Sequence, residues 1–581
     1  MAAQAFPELH AHVAGLLEEA LAFVAPGVQG AAIVIERPKQ ALHGDYSCNS
    51  ALQLAKTMKR SPRNIAAALI AALPASPYVA KAEIAGAGFI NVFLKPEVKR
   101  AVLPHILALG AEYGRSHAGQ RKKVQVEFVS ANPTGPLHVG HGRGAAFGAS
   151  LANVLAATGF EVQREFYVND AGRQMDILVL STWLRYLEQG GARLAFPANA
   201  YQGNYVRQMA QQIRIAHGGR YMREVSALFQ DAPDTEREPE ACLDALIAGA
   251  KSLLGEDYAY IHDFALAEQL GDCRHDLLEF GVSFDHWFSE KSLYDSGLVE
   301  RTVARLEANG HVYAQDGAKW FRSSRFGDEK DRVIQRENGQ YTYFASDISY
   351  HLNKFERGFD LVIDVWGADH HGYIPRVKGA LEALGLDPGR LTVALVQFAV
   401  LYRGGKKVSM STRAGDFVTL RELRQEVGND AARFFYVLRK SDQHLDFDLD
   451  LAKSQSTDNP VYYVQYAHAR VCSVHEQWSG DEAELRAADP TPLTLDAEMS
   501  LLSRLIEYPE VVANAARELS PHFVAFYLRE LAAEFHSYYN ATRILVPELP
   551  IRLARLALVT AVGQVLRTGL ALLGVSAAEK M

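Results

Sequence analysis

Two histidines, His138 and His141, flank Gly140 where a strand-like segment gives way to a helix-like one. The start of a helix offers unpaired backbone N–H groups and the positive end of the helix dipole to phosphate groups. The histidines add hydrogen-bond donors, and Gly140, which lacks a Cβ, lets a planar base or a ribose approach the backbone. The spacing therefore predicts a nucleotide site in which these three residues take part in the chemistry.

A basic, glycine-containing segment at 403–415 is the second candidate for phosphate chemistry. Positive charge comes from Lys406, Lys407 and Arg413, and small hydroxyl donors come from Ser409, Ser411 and Thr412. A loop of this kind can close over a triphosphate and place positive charge where a leaving pyrophosphate develops negative charge. A solvated surface hairpin would have the same composition, and the sequence leaves both interpretations open.

The elements that must position these groups follow from hydrophobic periodicity. Alternation from Val124 to Val129 predicts a strand. The apolar residues between Phe147 and Leu155 share one helical face, and Gly159 is the expected end of that helix. Phe160 to Val168 predicts the next strand, and the apolar run Leu361 to Trp366 predicts a buried parallel strand. The order strand, loop, helix, strand predicts a doubly wound, Rossmann-type parallel sheet with its ligand crevice at the carboxyl ends of the strands.

The length of 581 residues indicates three or four domains, and together with the strand and helix pattern it predicts an α/β multidomain protein. We expect an N-terminal α+β domain at 1–112 and a Rossmann-type catalytic domain at 120–455, with a mostly helical insertion at about 190–340. Residues 456–581 predict an all-α helical bundle.

Two helix starts stand out within the last unit. Asn459 and Pro460 combine an N-cap residue with a first-turn proline, and Ser520 with Pro521 predicts a second start of the same kind. Long apolar stripes follow each of them, so a bundle of helices is expected to close the chain.

Composition limits the compartment and the partners. The net charge of −8 gives no global attraction to nucleic acid, so a polyanion would need local basic patches. The four cysteines are far apart, which indicates neither a zinc ribbon nor a disulfide framework and favours a reducing compartment. Residues 1–16 lack the features of a secretory signal, and Arg555, Gln564 and Arg567 interrupt the apolar run 553–573, which favours a buried helix over a membrane span. We therefore expect a cytoplasmic protein with no membrane partner.

Together, the two candidate sites resemble the paired signature motifs of class I aminoacyl-tRNA synthetases. Further segments are similar to the arginyl-tRNA synthetase family specifically: Val126 to Pro136, Tyr167 to Gln174, Tyr341 to Asp347 and Gln465 to Arg470. The terminal Met581 and, in the first unit, Gly44 to Ser47 and Gly88 to Asn91 extend the resemblance over essentially the full length.

The second signature motif departs from the family pattern. Class I enzymes have Lys-Met-Ser-Lys-Ser where this chain has Ser409-Met410-Ser411-Thr412-Arg413, so both signature lysines are absent. Some arginyl enzymes carry a compensating lysine just before the first motif, whereas Thr134-Gly135-Pro136 stands there in this chain. By the resemblance, Met410 and Ser411 contact ATP. Which of the three basic residues at 406, 407 and 413 clamps the pyrophosphate stays open.

Recognition of L-arginine sets its own requirements. A guanidinium is always charged and presents five donors in a rigid fork, so its pocket needs a carboxylate and further acceptors. Asp347 and Tyr343, four residues apart on one helix face, match the family's guanidinium pair. The resemblance places further contacts to arginine at Glu127, Ser130, Asn132 and His370.

The other side of the crevice is expected to hold the ribose of ATP. Gly367 and Asp369 follow the apolar strand and resemble the Gly-x-Asp stretch that contacts ribose hydroxyls in class I enzymes. The adjacent His370 and His371 lack a third ligand at sensible spacing, so we expect no metal site held by the protein. Mg²⁺ should arrive with ATP, bound by phosphates and water.

The resemblance implies a two-step arginine–tRNA ligase reaction. L-Arginine and ATP give arginyl-adenylate and pyrophosphate, and the arginyl group then passes to the 3′ end of tRNA(Arg). The family further implies an N-terminal domain that binds the tRNA elbow, a helical domain that reads the anticodon, and a need for tRNA during activation. Tyr466 and Met581 are expected to stack on unpaired bases, although core packing would also explain Tyr466. A monomer is expected.

Two other functions stay open from the sequence. One is a nucleotidyltransferase of the same fold that adenylates a small carboxylate without tRNA. The other is a catalytically silent tRNA-binding paralogue, which the altered segment 409–413 allows.

Overall fold

A computed structural model of the chain describes residues 8–27, 33–38, 41–233, 237–408 and 417–581. The N-terminal unit consists of α1 (Leu9–Val24), β1 (Ile35–Glu36), β2 (Tyr46–Cys48), α2 (Ser50–Met58), α3 (Pro62–Ala71), β3 (Val79–Ala85), β4 (Phe89–Leu94), α4 (Pro96–Arg100) and α5 (Val102–Leu109). Its antiparallel sheet has the order β1-β2-β4-β3, with helices packed against it. The α+β class expected for this unit is confirmed.

The central unit contains the predicted parallel sheet. Its elements are β5 (Lys123–Glu127), α6 (Val139–Ala157), β6 (Glu161–Val168), α7 (Arg173–Gln189), α8 (Asn204–His217), α9 (Ser226–Asp231), α10 (Pro239–Leu254), α11 (Asp257–Glu279), β7 (His286–Ser289), α12 (Lys291–Asp295), α13 (Leu298–Ala308), β8 (Val312–Gln315), β9 (Ala318–Phe321), β10 (Arg332–Gln335), α14 (Tyr343–Glu356), β11 (Leu361–Gly367), α15 (Ile374–Ala383), β12 (Leu391–Val396), β13 (Ala399–Arg403), β14 (Lys406–Lys407), α16 (Leu420–Val427), α17 (Asn429–Val437), β15 (Leu445–Asp448) and α18 (Leu449–Lys453).

Five strands form the parallel sheet in the order β12-β11-β5-β6-β7. The chain leaves β5 toward β6 on one side and later returns through β11 to β12 on the other. The switch point of this doubly wound sheet therefore lies between β5 and β11, where a crevice opens at the carboxyl ends of the strands. The predicted fold class is confirmed.

Helix α6 packs closely on this sheet because of one glycine. A Cβ at Gly148 would overlap the ring of Phe128, which follows β5. Only a glycine lets the helix approach this ring, so the third turn of α6 packs closely against the end of β5.

The segment at about 190–340 differs from the expected helical insertion. It is helical up to Glu279, but β7 then returns to the parallel sheet as its edge strand. Strands β8, β9 and β10 follow as a separate antiparallel sheet. These strands are four residues long, too short for a period of two to stand out from the surrounding sequence.

The last unit is all-helical, as predicted. It contains α19 (Pro460–Gln477), α20 (Glu482–Arg486), α21 (Asp496–Arg517), α22 (His522–Ala541) and α23 (Leu549–Leu572). The Asn459 side chain accepts hydrogen bonds from the backbone N–H groups of Val461 and Tyr462, so the predicted cap of α19 is confirmed. The predicted cap at Ser520 is wrong, because its hydroxyl donates to the Glu518 carbonyl and no side chain caps α22.

By length and composition, helix α23 alone among the described helices could cross a membrane. In the structure, 56% of its most apolar window is buried, and it packs against α19, α21 and α22. The predicted role as a buried helix accounts for this apolar run.

Candidate active site

The crevice at the switch point is built on two carboxylates from adjacent strands. Glu127 ends β5, and Asp364 on β11 is its direct partner in the strand register. The Lys354 ammonium from α14 lies between them, 2.5 Å from Glu127 Oε2 and 2.7 Å from Asp364 Oδ1. Burial opposes ionisation of Asp364, but Lys354 and His351 outweigh it and lower the pKa of this carboxyl to about 2.

A strained turn carries the chain out of β5. Val129 and Ser130 have φ angles of 69° and 39°, a left-handed conformation that a β-branched valine rarely adopts. The Ser130 hydroxyl donates to Glu127 Oε1 at 2.8 Å and accepts from the Tyr167 N–H at 3.1 Å. Its one proton is thus used within the protein, so Ser130 orients Glu127 and keeps only acceptor capacity for a ligand.

The two predicted histidines form a reciprocal cap at the start of α6. His138 Nδ1 accepts from the Gly140 N–H at 3.0 Å, and His141 Nδ1 accepts from the His138 N–H at 3.2 Å. Because each Nδ1 is an acceptor, the neutral rings carry their protons on Nε2. Burial lowers the pKa of both rings. For His141, burial and the neighbouring His138 together lower the pKa to about 3. The turn therefore presents neutral donors beside a helix N-terminus.

Gly140 is required by the ring of His138 itself. A Cβ at this position would lie 2.8 Å from His138 Cε1 and 3.4 Å from the Phe398 ring. The two histidine rings stack with centroids 3.7 Å apart, so a side chain at 140 would push this pair out of place.

The basic segment begins as a hairpin. Strand β14 pairs with β13 and exposes Lys406 and Lys407. The residues Met410, Ser411 and Arg413, for which we expect contacts to ATP and pyrophosphate, lie outside the described residues. Beyond them, the chain returns directly to the histidine turn. The Val139 N–H donates to the Val418 carbonyl at 3.2 Å, and the ring edge of Phe417 contacts His138.

A second group of carboxylates faces the crevice from α14 and β7. Asp347 accepts a hydrogen bond from the Tyr373 hydroxyl at 2.5 Å. Glu290, directly after β7, is only 2% exposed and accepts from the Ser346 hydroxyl at 3.0 Å. Burial and the nearby Asp347 and Asp170 raise the pKa of Glu290 to about 7.

The Tyr167 hydroxyl joins these acidic groups into one pocket. Burial raises the pKa of Tyr167 far above its usual value, and the carboxylates of Glu290, Asp347 and Glu127 add to that shift. Hydrogen bonds bring the same groups together, because Ser130 connects the Tyr167 N–H to Glu127, and Ser346, next to Asp347, donates to Glu290, so the three carboxylates border one space. Such a space suits a ligand with a forked, positively charged end.

The other predicted arginine contacts line the mouth of the crevice. Tyr343 is 54% exposed, and its hydroxyl accepts from the Arg173 N–H at 3.3 Å. Asn132 is exposed, and its amide oxygen accepts from Asn169 Nδ2 at 3.3 Å. Both side chains can still offer polar atoms to a ligand.

The turn after β11 holds the predicted ribose residues. Gly367 ends the strand, and Asp369 and His370 are exposed on the 3₁₀ turn that follows it, with carboxylate and ring 3.6 Å apart. A Cβ at Gly367 would lie 2.5 Å from Asp369 Oδ1, so the glycine lets this carboxylate fold back beside the strand end. Among the described residues, no group of three or more His, Cys, Asp or Glu side chains is arranged to hold a metal ion.

Sequence reasoning missed Glu290, Lys354, Tyr167 and Tyr373. Glu290 had a weak signal, because the four-residue strand that ends directly before it at Ser289 contains only the apolar pair Trp287 and Phe288. Tyr167 begins a segment that resembles the arginyl-tRNA synthetase family, but the resemblance gave it no role. Lys354 and Tyr373 are defined by partners on distant segments, and no local pattern marks them.

On α19, Tyr466 belongs to a ladder of flat groups. Its ring stacks on Tyr462 at 5.9 Å, and the Arg470 guanidinium lies 4.6 Å from its centroid. Met581 is 50% exposed at the end of a tail that hydrogen-bonds to another face of α19, through Gln465. The two predicted base platforms are therefore separate surfaces.

Three family models match the chain. The model described as the arginyl tRNA synthetase N terminal domain matches residues 8–94. The model of the catalytic domain of tRNA synthetases class I (R) matches 102–446, and that of the DALR anticodon binding domain matches 464–581.

Curated relatives match over nearly the full length. An arginine–tRNA ligase of Nitrosospira multiformis is 68% identical over 575 residues, covering 99% of both chains. That of an Azoarcus species is 66% identical over 577 residues, covering 97% of this chain and 98% of the relative.

Solved structures agree with these matches. A putative arginyl-tRNA synthetase from Campylobacter jejuni is 32% identical with a TM-score of 0.73, covering 83% of this chain and 99% of the other. The arginyl-tRNA synthetase of Thermus thermophilus is 25% identical with a TM-score of 0.75, covering 99% and 100%.

The protonation of the histidine turn can be measured directly. We expect the ring nitrogens of His141 to keep the ¹⁵N shifts of a neutral imidazole down to about pH 5, where an ordinary histidine with a pKa near 6.5 is charged. The unfolded chain binds a proton at this ring below about pH 6.5 and the folded turn does not, so this ring destabilises the fold as the pH falls. Comparison with His141→Gln assigns the signals in a ¹⁵N-histidine NMR titration. A midpoint near 6.5 for His141 would contradict the proposed cap.

Proposed function

The chain belongs to the arginyl-tRNA synthetase family, class I enzymes that act as arginine–tRNA ligases, and on that premise we propose how its crevice carries out the reaction. The arginine carboxylate attacks the α-phosphate of ATP, forming the C–O–P bond of arginyl-adenylate and releasing pyrophosphate. The terminal ribose hydroxyl of tRNA(Arg) then attacks the arginyl carbonyl and releases AMP. Neither step needs a protein nucleophile, so the residues of the chain must align the reactants and neutralise charge.

The observation that carries the proposal is the meeting of two unlike sites at one switch point. Carboxylates from β5, β7 and α14 lie on one side, and the neutral histidine cap of α6 lies on the other. A short segment that starts at the strained turn joins them. A cationic amino acid and a nucleotide are thereby held next to each other, as in-line attack requires.

On the arginine side, Asp347 and Glu290 receive the guanidinium, with Tyr343 as a further acceptor. The five donors of a guanidinium can satisfy two carboxylates at once. Glu127, held by Lys354 and Ser130, adds negative potential beneath the ligand. Asn132 and His370, at the mouth, take the α-amino and carboxyl end.

On the nucleotide side, His138 and His141 donate from Nε2 to phosphate oxygens in the transition state. Gly140 leaves room for the adenosine, and Gly367 with Asp369 takes the ribose hydroxyls. Lys406 and Lys407 on the hairpin receive the pyrophosphate, together with Met410, Ser411 and Arg413 of the adjoining segment. Mg²⁺ enters as the ATP complex, bound to phosphate oxygens and water.

The outer units bind the tRNA. The ladder of Tyr462, Tyr466 and Arg470 offers stacking surfaces to unpaired anticodon bases, and Met581 offers a second apolar contact. The domain at 1–112 binds the elbow, the domain at 120–455 carries the chemistry, and 456–581 reads the anticodon. The protein works as a monomer in the cytoplasm.

Arginine-dependent ATP–pyrophosphate exchange, run with and without tRNA, tests the reaction. We expect exchange only when tRNA(Arg) is present. Exchange without tRNA would favour a nucleotidyltransferase that adenylates a small carboxylate. Absence of exchange under both conditions would contradict the catalytic proposal and favour a silent tRNA-binding protein.

The Asp347→Asn variant tests the guanidinium site. We expect the KM for arginine to rise about 100-fold, because a buried cation loses its charged partner, while the KM for ATP stays near the wild-type value. Asp369→Asn is the matched control on the nucleotide side and should affect ATP and not arginine. Equal effects of Asp347→Asn on both substrates would refute its assignment.

Glu290 should make arginine binding depend on pH. Burial and the neighbouring carboxylates raise the pKa of this carboxyl to about 7, so it is protonated below that pH and binds the guanidinium only when ionised. We expect the KM for arginine to fall as the pH rises, by up to about tenfold per unit below this pKa. Glu290→Gln should flatten this profile and weaken arginine binding at high pH, as measured by exchange kinetics over a pH series. A profile that is unchanged in the variant would remove Glu290 from the pocket.

A further inference from the structure

Arg143, in the second turn of α6, is a buried charge held only by backbone carbonyls. It is 1% exposed, and its guanidinium donates to the carbonyls of Gln397, Gln443 and Lys440 at 2.7, 2.9 and 3.1 Å. Burial lowers its pKa to about 10, so it stays charged at neutral pH. Among the described residues no carboxylate lies within ion-pair distance of it. Burying such a charge is unfavourable unless hydrogen bonds compensate, so packing alone does not account for an arginine at this position.

The three carbonyls belong to two segments that flank the nucleotide side of the crevice. Gln397 joins β12 to β13, while Lys440 and Gln443 lie between α17 and β15. Strands β13 and β15 are parallel neighbours, and the Gln397 N–H donates to the Ser441 carbonyl at 2.8 Å. Arg143 therefore ties both segments, as one unit, to the helix that begins at the histidine turn.

The chain that follows Gln397 connects Arg143 to both parts of the nucleotide site. Phe398 follows directly and is 53% exposed, with its ring 3.4 Å from the position of a Cβ on Gly140. Strand β13 then leads into the hairpin that exposes Lys406 and Lys407. A change in the Gln397 backbone would therefore move the hairpin relative to the histidines.

We propose that Arg143 is a positioning residue for the nucleotide step. It fixes the separation between the histidine turn and the hairpin, so that one triphosphate contacts both at once, and it touches neither substrate itself. This inference rests on the proposed placement of ATP at the histidine turn.

The side-chain type fits this role. A guanidinium is a planar fork of five donors and spans carbonyls on two segments, whereas a lysine ammonium is a compact charge on a flexible stem. Arg143→Lys would keep the charge and lose the bridge. The bridge, and not the charge, is what sets the geometry.

The chain provides a matched control in Arg433 on α17. It is also 1% exposed, and burial lowers its pKa to about 10. Its guanidinium donates to the carbonyls of Leu573, Phe280 and Gly281 at 3.0, 3.0 and 3.3 Å. It thus ties α17 to the end of α23 and to the segment before β7, away from the hairpin.

The experiment compares Arg143→Lys and Arg143→Met with the same two substitutions at Arg433, in the full chain. Melting temperature gives the structural effect, and exchange kinetics with tRNA give KM and kcat for ATP and for arginine. We expect Arg143→Met to lower kcat/KM for ATP about 100-fold, the effect of a displacement of about 1 Å, and Arg143→Lys, which also lacks the bridge, to cause a comparable loss. The KM for arginine should stay near the wild-type value. The Arg433 variants should lower the melting temperature as much without any selective loss toward ATP.

Three results would overturn the proposal. The first is an equal loss of kcat/KM for ATP and for arginine in the Arg143 variants, and the second is the same ATP-selective loss in the Arg433 variants. The third is failure of both Arg143 variants to fold, which would make the residue structural. Wild-type exchange is scored first. Its absence overturns the proposed function, whereas its presence with an unselective Arg143 effect overturns only this inference.

Discussion

The ammonium of Lys354 lies fully buried between the carboxylates of two adjacent parallel strands, and the arrangement of the crevice depends on it. Glu127 and Asp364 are direct register partners at the switch point, and two neighbouring buried carboxylates cannot both ionise without a cation between them. Burial lowers the pKa of Lys354, but both carboxylates outweigh that effect and raise it, so the lysine stays charged. This contact fixes α14 across the end of the sheet. The same helix carries Asp347 and Tyr343 at its other end, so one buried ion pair sets where the arginine site lies.

The neighbouring turn of α14 repeats this pattern on β6. Glu165 is fully buried and accepts from Arg357 and from the Tyr350 hydroxyl, while His351 bridges Asp364 and the Asp347 carbonyl. Side chains of one helix thus pair with carboxylates from three strands. Apolar replacements of buried ion pairs often stabilise proteins, so such pairs are a poor source of stability. Here they tie one helix to β5, β6 and β11 at the same time, which limits where the helix can lie across the sheet.

The nucleotide side relies on different physics. Its groups are two neutral imidazoles that cap the start of α6 and an arginine that is held by backbone carbonyl dipoles. Preorganised dipoles of this kind stabilise developing phosphate charge without reorganising. The strained Val129 and Ser130 join the two sides, and their conformation directs the chain from the acidic pocket to the histidine turn. The site for the cationic amino acid and the site for the anionic nucleotide are therefore separated by only a few residues of backbone.

The sequence by itself determined the elements and motifs that short-range patterns encode. Alternation and apolar runs indicated β5, β6 and β11, three of the five strands of the parallel sheet. Asn459 indicated the start of α19, and the two histidines indicated the start of α6. Only the tertiary structure decided which charges are buried and paired. Lys354 and Glu127 are 227 residues apart, and a lysine on an amphipathic helix is ordinarily in water unless the fold brings carboxylates to it. The same holds for Glu290, whose strand has four residues and belongs to the sheet only through pairing with β6. Local periodicity reflects the forces that act within one element, whereas a buried charge requires partners that the folded chain alone brings together.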